Sequence, residues 1–289
     1  MGGLDGKVVV ITGGNTGIGK EAAVGLASAG ARVVITSRNE QRGRAAQKEI
    51  ADRSGNSEVD VMTLDLASFR SIRSFAADVL DRFDRLDVLL NNAGLILLRR
   101  QETEDGFEET FGVNHLGHFL LTDLLVDRLE ASAPARVVVV SSRAHKGARH
   151  GLDFDDLQAE RGYRWMDAYN KSKLANIYFT RELARRLDGT GVTVNALHPG
   201  FVRSEFGRGG DLGGMYGFGM HYLAGPFAIS AKRGARTSIY LASSPEVEGV
   251  TGGYFFKCKP ATPSQVGQDD DAARRLWNVS ERLVASVPA

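Results

Sequence analysis

The amino-acid sequence predicts an α/β fold in which one doubly wound parallel sheet carries helices on both faces. The first observation is that short apolar runs alternate with stretches of helical periodicity along most of the 289 residues. The second is that several apolar runs end in Gly, Ser, Asn or Asp, as expected where strands present polar groups at one sheet edge. Strict βα alternation implies parallel strands. A chain of this length commonly forms one α/β domain.

We predict a seven-stranded sheet in a single domain spanning residues 1–289, with ligands bound at the carboxyl ends of the strands. The strands are expected at 8–11, 32–36, 59–63, 88–91, 136–141, 193–197 and 253–256. The helices are expected at 17–29, 41–53, 68–83, 104–130 with a break near Val113, 165–187, 231–242 and 270–285.

The composition excludes several function classes. The 36 Lys and Arg residues balance 35 Asp and Glu residues, which argues against a nucleic-acid partner. The single cysteine, Cys258, rules out an intramolecular disulfide and suggests a reducing compartment. No apolar run approaches the roughly 20 residues of a membrane span, and the first strand begins too early for a signal peptide. We therefore expect a cytoplasmic protein without a membrane span.

The first strand leads into a glycine-rich turn with the spacing Gly-x-x-x-Gly-x-Gly, followed by a helix. The first N–H groups of a helix lack partners and carry the positive end of its dipole, and glycines allow an anion to approach them. The turn is therefore a candidate phosphate site. Its predicted binding residues are Gly13, Asn15, Thr16, Gly17, Ile18 and Gly19.

Two other interpretations of this turn remain open at the sequence level. It could be a tight turn without a ligand. It could also be a P-loop, because Gly14 to Lys20 fits Gly-x-x-x-x-Gly-Lys, but Glu21 stands where a P-loop has the Ser or Thr that holds Mg²⁺.

The second strand ends in Ser37 and Arg38. In NAD-binding proteins an acidic residue here holds the ribose 2′-hydroxyl, whereas an arginine accommodates a 2′-phosphate. The residues present favour NADP(H) over NAD(H), although Glu40 lies near enough to weaken that preference. A solvated arginine without a ligand is the alternative.

The third and fourth strands also end in polar or small residues. Asp65, followed by Leu66, could face an adenine amino group or cap the next helix. Asn92, Ala93 and Gly94 would allow a cofactor to lie against the backbone, or could form a structural turn. We include all five among the candidate cofactor residues.

An asparagine in the fourth helical stretch is followed by two histidines. Asn114 amid apolar residues needs buried partners and is either a structural plug or part of a polar relay. His115 and His118 could be called metal ligands, but no carboxylate or cysteine lies at ligand spacing, so no metal site is predicted.

The fifth strand brings Ser142 to the ligand-binding edge of the sheet, and a later helix carries Tyr169 and Lys173. The spacing of i and i+4 places both on one helix face. A nearby ammonium favours the phenolate and would bring the tyrosine toward the pKa range of an acid or base. Such a pair is often only a solvated face, but here it accompanies a serine and a nucleotide turn.

These residues together resemble the short-chain dehydrogenase/reductase family. The matching motifs are Thr12-Gly13-x-x-x-Gly17-Ile18-Gly19, Asn91-Asn92-Ala93-Gly94, Asn114, Ser142, Tyr169-x-x-x-Lys173 and Pro199-Gly200. The resemblance implies a single-domain Rossmann fold. It also implies that Tyr169 is the proton donor or acceptor, that Ser142 holds the substrate oxygen, and that Lys173 binds the nicotinamide ribose and lowers the Tyr169 pKa.

The same resemblance assigns further roles. Asn114 would hold a water in a proton relay, and Pro199, Gly200, Val202 and Ser204 would lie near the nicotinamide carboxamide, Ser204 replacing a more frequent threonine. Finer stretches such as Asn114-His115-Leu116-Gly117-His118-Phe119 are similar to the retinol dehydrogenase-like branch. That branch mostly uses NADP(H) on apolar aldehydes, ketones and alcohols.

The resemblance and the residues together predict an NADP(H)-dependent oxidoreductase acting on a small apolar carbonyl or alcohol. The alternative is a non-catalytic NADP(H)-binding sensor, which would not need the acid/base residues.

Two features of the remaining chain bear on the substrate and on assembly. Residues 203–230 mix glycines with Met, Tyr and Phe and are predicted to form a lid over an apolar substrate, or else a surface loop. The helical stretches 116–129 and 165–187 carry surplus apolar residues, which would suit a homodimer interface or burial within the domain.

Overall fold

The structure is a computed structural model that describes residues 3–202 and 229–288. Its sheet has eight strands in the order β3-β2-β1-β4-β5-β6-β7-β8. Strands β1 to β7 run parallel, which confirms the predicted Rossmann-type sheet, and β8 pairs antiparallel with β7. The bounds are β1 Val8–Ile11, β2 Arg32–Ser37, β3 Val59–Thr63, β4 Val88–Asn91, β5 Ala135–Val140, β6 Val192–Leu197, β7 Tyr254–Phe256 and β8 Lys259–Pro260.

The prediction of seven strands was one too few, because it missed the short strand β8. Lys257 and Cys258 both have positive φ, 51° and 59°, and form the tight turn that reverses the chain. A turn of this kind usually contains Asn or Gly, and β8 has only two residues. Neither feature leaves a recognisable pattern in the sequence.

Apolar, β-branched residues form the strands because both faces of the sheet are covered. Alternate residues point to opposite faces: Val137 and Val139 join one core cluster, whereas Val138 and Val140 join the other. The first cluster lies under α3, α5, α6 and α8, and the second lies under α1, α2 and α7. The bounds of these helices are α1 Gly17–Ala27, α2 Glu40–Ser54, α3 Phe69–Arg82, α4 Glu109–Phe111, α5 Gly117–Ala131, α6 Trp165–Arg186, α7 Ala231–Ser243 and α8 Asp270–Ala285.

Helix starts follow local capping chemistry. Asn39, Ser68, Ser230 and Asp269 each accept a hydrogen bond from a backbone N–H in the first turn of α2, α3, α7 and α8. The predicted helix 104–130 is interrupted as expected near Val113. A π-helical turn, Gly112–Leu116, separates α4 from α5, and π turns inside helices are frequent at functional sites.

Helix α8 covers the surplus apolar surface of α5 and α6. The Trp277 ring lies 4.8 Å from Phe119 and 6.0 Å from Phe179, measured between centroids. Ser280, fully buried, hydrogen-bonds His115 at 2.8 Å. The apolar surplus of the two helices is thus buried within the chain, and a homodimer no longer draws support from it.

Two further sequence-based expectations are affected by which residues are described. The predicted lid falls almost entirely on residues 203–228, which lie outside the described residues, as does Ser204. Among residues 3–202 and 229–288, every helix is too short or too polar to cross a membrane.

Candidate active site

The glycine-rich turn joins β1 to α1 at the carboxyl edge of the sheet. Gly13 and Gly17 have φ values of +63° and +54°, a region that favours glycine. A Cβ at Gly19 would lie 2.4 Å from the Gly13 carbonyl oxygen, so the turn requires a glycine there. Ile18 and Gly19 lie in the first turn of α1 and have N–H groups without intrahelical partners. Asn15 and Thr16 lie in the turn, with Thr16 exposed.

The same turn does not act as a P-loop. Lys20, which would contact phosphate in a P-loop, has its ammonium 2.7 Å from Glu49 on α2. Glu21 is paired with Arg53 at 2.8 Å. Both side chains tie α1 to α2, so a phosphate at this turn would be held by backbone N–H groups and the helix dipole.

Thr12 connects the turn to the end of β4. Its Oγ1 accepts hydrogen bonds from the backbone N–H groups of Asn92 and Ala93 at 2.8 and 3.0 Å. The Asn92 side-chain amide donates to the Thr12 carbonyl at 2.8 Å. Asn92 and Ala93 therefore lie directly beside the glycine-rich turn, and Gly94 follows them in sequence.

The end of β2 presents one buried and one exposed candidate. Ser37 is buried, and its hydroxyl donates to the Asn39 carbonyl at 2.8 Å. Arg38 is exposed at the same sheet edge. Glu40 was expected to weaken a preference for a 2′-phosphate, but its carboxylate lies 2.5 Å from the Arg44 guanidinium. Arg44 thus offsets the charge of Glu40 next to Arg38.

Asp65 at the end of β3 is held by a local turn. Its Oδ1 accepts the Ala67 N–H at 3.0 Å. The cap of α3 is Ser68, and the Asp105 carboxylate accepts the Phe69 N–H at 2.8 Å, so Asp65 is not the helix cap. Leu66 is buried against Gly117, where a Cβ would lie 2.6 Å from the Leu66 carbonyl.

Asn114 lies in the π turn and has all its side-chain partners within the protein. Its Oδ1 accepts the Leu95 N–H at 2.8 Å, and its Nδ2 donates to the Leu95 carbonyl at 2.9 Å and to Ser172 Oγ at 3.0 Å. A Cβ at Gly94 would be 3.2 Å from Asn114 Oδ1 and 3.3 Å from Lys173 Nζ. Asn114, Gly94 and Lys173 therefore meet at one point.

Ser142, Tyr169 and Lys173 form the remainder of the cluster. The Ser142 hydroxyl is hydrogen-bonded to the Tyr169 side chain. Lys173 is 3% exposed, its Nζ lies 5.7 Å from the centroid of the Tyr169 ring, and it donates to the Val140 carbonyl at 3.2 Å. The four residues predicted to be catalytic are thus brought together at the carboxyl ends of β4 and β5.

The pKa of Tyr169 differs in direction from the sequence-based expectation. Burial raises it above its ordinary value, while the hydrogen bond from Ser142 lowers it in part. Burial also lowers the pKa of Lys173 to about 8. The ammonium was expected to favour the phenolate, but desolvation of both groups has the larger effect on the tyrosine in the protein alone.

The segment after β6 continues along the same edge. Gly200 has a φ of +91° and follows Pro199, and its N–H donates to His198 Nδ1 at 3.2 Å. Val202 and Ile18 both pack toward Gly234 of α7, where a Cβ would lie 2.7 and 3.3 Å from their side chains. Ile18, which follows β1, and Val202, which follows β6, therefore both lie beside α7.

His115 in the π turn and His118 in the first turn of α5 are both neutral and hydrogen-bonded to hydroxyl groups. Burial lowers the pKa of His115 and of His118 to about 3. His115 contacts Ser280, and His118 Nε2 lies 2.9 Å from Thr12 Oγ1. Within the part of the chain that the structure describes, no group of three His, Cys, Asp or Glu side chains could hold a metal.

Three polar residues of the site were not among the predicted ones. Ser172 bridges Asn114 and the Tyr169 carbonyl, Ser141 Oγ donates to the Lys173 carbonyl at 2.7 Å, and Thr36 Oγ1 accepts the Gly13 N–H at 3.1 Å. Ser172 and Ser141 adjoin predicted residues in sequence, which is a usable signal. Thr36 has no such signal, because only the pairing of β1 with β2 brings it to the turn.

Comparisons with known proteins agree with this geometry. The chain matches the short chain dehydrogenase family over residues 7–153 and 156–209. It is 50% identical to retinol dehydrogenase 12 of Homo sapiens over 281 residues, which cover 97% of this chain and 87% of the human protein. This confirms the resemblance to the retinol dehydrogenase-like branch.

Two solved structures are similar along most of the chain. An uncharacterised protein from Mycobacterium paratuberculosis is 35% identical with a TM-score of 0.79, covering 99% of this chain and 96% of that one. Actinorhodin polyketide ketoreductase with NADPH is 26% identical with a TM-score of 0.68, covering 88% and 97%. Sequence and fold together show that the chain belongs to the short-chain dehydrogenase family of nicotinamide-dependent oxidoreductases.

Proposed function

We propose that this protein is an NADP(H)-dependent oxidoreductase that interconverts an apolar aldehyde or ketone and its alcohol. The observation that carries the proposal is that Ser142, Tyr169, Lys173 and Asn114 lie together near the glycine-rich turn that joins β1 to α1. A nicotinamide cofactor, when bound, supplies or accepts the hydride at its C4 atom.

The residues fit such a cofactor. The turn offers unpaired helix N–H groups at positive-φ glycines, which suit a pyrophosphate. Gly94 leaves no space for a side chain next to Lys173. The Lys173 ammonium has three donors and gives one to the Val140 carbonyl, so it has donors to offer to ribose hydroxyl groups.

Tyr169 supplies the proton chemistry. In the direction of reduction its hydroxyl donates a proton to the carbonyl oxygen, and in the direction of oxidation the phenolate accepts one from the alcohol. Its raised pKa means that the neutral, proton-donating form prevails at neutral pH in the free protein. Ser142 holds both the tyrosine and the substrate oxygen, and Asn114 keeps Leu95 and Ser172 in place around them.

The exposed Arg38 supports the preference for NADP(H). Its planar guanidinium suits a phosphate, and the nearby Glu40 carboxylate is paired with the Arg44 guanidinium. The NADPH bound to the related ketoreductase is consistent with this preference.

An apolar substrate is supported by the surroundings of the site. Phe201, which follows Gly200 in sequence, is 51% exposed, and Met166, three residues before Tyr169 on α6, is 43% exposed. Retinol dehydrogenase 12 is named for an apolar alcohol. We further propose a cytoplasmic protein, on the balanced charge and the lone cysteine.

The test measures loss of NADPH absorbance with a panel of medium-chain aldehydes and retinal, with NADH in parallel. Tyr169→Phe is expected to lower kcat by roughly 100-fold or more, the usual contribution of a general acid, while NADPH still binds. Tyr178→Phe is the matched control, because it removes another tyrosine hydroxyl from α6, one that donates to the Val266 carbonyl. Equal turnover by Tyr169→Phe and wild type would refute the role of Tyr169, and cofactor binding without turnover across the panel would favour a sensor.

A further inference from the structure

His118 connects the glycine-rich turn that follows β1 to the backbone of Asn114. The imidazole is 3% exposed, and its two nitrogens face different parts of the site. Nε2 lies 2.9 Å from Thr12 Oγ1, and Nδ1 lies 3.3 Å from the Asn114 carbonyl oxygen. Because the imidazole ring is rigid, these two contacts fix the distance between Thr12, at the start of the glycine-rich turn, and Asn114, in the π turn.

The hydrogen-bonding capacity of Thr12 determines the direction of the first contact. Both acceptor positions of its hydroxyl are used by the N–H groups of Asn92 and Ala93. The hydroxyl proton therefore goes to His118 Nε2, which is closer than the Leu90 carbonyl at 3.4 Å. His118 must then be the tautomer with its proton on Nδ1, and that N–H donates to the Asn114 carbonyl.

The surroundings of His118 keep its imidazole neutral. Burial and the nearby Lys173 ammonium lower the pKa of His118 to about 3, so the ring is neutral. A neutral imidazole has one donor and one acceptor. The acceptor faces Thr12, and the donor faces the backbone of the π turn, at the Asn114 carbonyl and also at Val113.

The Asn114 carbonyl matters because it belongs to the π turn. In a π turn the hydrogen bonds run from residue i to i+5, as between the Gly117 N–H and the Gly112 carbonyl. The side chain of the same residue holds Leu95 and Ser172 around the catalytic tyrosine and lysine. A shift of the turn would move Asn114 relative to Lys173.

We propose that His118 is a positioning residue that ties the cofactor-binding turn to the catalytic asparagine through two separate hydrogen bonds. The bond to Thr12 holds the turn and the end of β4 in the geometry that binds the cofactor. The bond to the Asn114 carbonyl holds the polar cluster in the geometry that transfers the proton. This inference rests on the proposed oxidoreductase function.

Two substitutions separate these bonds. The amide nitrogen of Asn occupies nearly the position of Nδ1, so His118→Asn keeps the donor to Asn114 and loses the acceptor for Thr12. The amide of Gln extends to the position of Nε2, so His118→Gln keeps the acceptor for Thr12 and loses the donor to Asn114. Both substitutions remove the imidazole ring, so each variant loses the packing of that ring.

The experiment measures NADPH affinity without substrate, and then kcat and KM for the best aldehyde of the panel. His118→Asn is expected to weaken NADPH binding about tenfold with kcat nearly unchanged, as for loss of one buried hydrogen bond. His118→Gln is expected to lower kcat about tenfold with NADPH affinity nearly unchanged. His118→Phe should show both losses.

Ser280→Ala is the matched control. It removes the hydrogen bond of the neighbouring buried histidine, His115, from the same π turn without touching Thr12 or Asn114. We expect a lower thermal midpoint but unchanged NADPH affinity and kcat.

Equal losses in the Asn and Gln variants, or losses no larger than those of Ser280→Ala, would overturn the positioning role. Failure of the proposed function is distinguishable, because the wild type would then bind NADPH without turnover. The affinity measurement on the Asn and Gln variants would still test the link between His118 and the turn.

Discussion

Lys173→Met is expected to make the protein more stable at neutral pH while abolishing turnover. Burial lowers the pKa of Lys173 from 10.5 to about 8. Each pKa unit corresponds to about 1.4 kcal/mol, so carrying the charged lysine costs the fold about 3 kcal/mol below pH 8. Methionine has a similar length and no charge to desolvate.

The hydrogen bond that is lost does not offset this gain. Lys173 donates to the Val140 carbonyl at 3.2 Å, and Asn176 also donates to that carbonyl at 3.3 Å. The carbonyl therefore keeps a partner in the variant. Because an unsatisfied buried acceptor is the main cost of removing a donor, we expect that cost to be small.

The pH dependence gives the sharper test. A folded-state pKa below the unfolded value means that the unfolded chain binds more protons between pH 8 and 10.5, so wild-type stability rises with pH across this window. The advantage of Lys173→Met should be largest below pH 8 and vanish above about pH 10.5. Groups that titrate in both proteins contribute equally to the two free energies of unfolding. Their contribution is removed when one free energy is subtracted from the other.

The assay is urea denaturation of both proteins at several pH values, with Lys171→Met as the control. Lys171 lies on the same helix in a partly exposed ion pair with Asp167 at 3.0 Å, which contributes little to stability. A difference between wild type and Lys173→Met that stays constant with pH would refute the reasoning. So would a variant less stable than wild type at pH 7.

The remaining predictions concern cofactor choice and the C-terminal helix. Arg38→Ala should weaken NADPH binding about tenfold or more, as expected for losing a charged contact to phosphate, and leave NADH binding nearly unchanged. Arg44→Ala should also reduce the NADPH preference, by freeing Glu40; equal weakening of both cofactors would rule out the 2′-phosphate role of Arg38. Trp277→Ala should lower the free energy of unfolding by about 3–5 kcal/mol, the range for large core truncations, because the ring packs on Phe119 and Phe179. The exposed Asn278→Ala is its control, and equal denaturation midpoints for the two variants would show that α8 does not stabilise the fold.

The sequence was informative wherever a local pattern carries a physical requirement. The positive φ of Gly13 and Gly17 follows from the turn that their spacing predicts, and the seven parallel strands follow from alternating periodicities. The i, i+4 spacing of Tyr169 and Lys173 placed both on one face of α6, and a break near Val113 was expected where the π turn lies.

Other properties depend on contacts between distant residues. Two side chains contact the glycine-rich turn from distant parts of the chain. Thr36 lies 23 positions from its partner Gly13, and His118 lies 106 positions from its partner Thr12. The surplus apolar residues of α5 and α6 could have served a second copy of the chain, and only the packing of Trp277 shows that α8 covers them.

The sequence by itself determined the order of strands and helices, the glycine-rich turn and the placement of Tyr169 and Lys173 on one helix face, because these arise from periodicity and spacing along the chain. Only the tertiary structure decided the strand β8, the cover over α5 and α6, and the direction of the Tyr169 pKa. These depend on burial, and the burial of a side chain is set by residues that no local pattern connects to it.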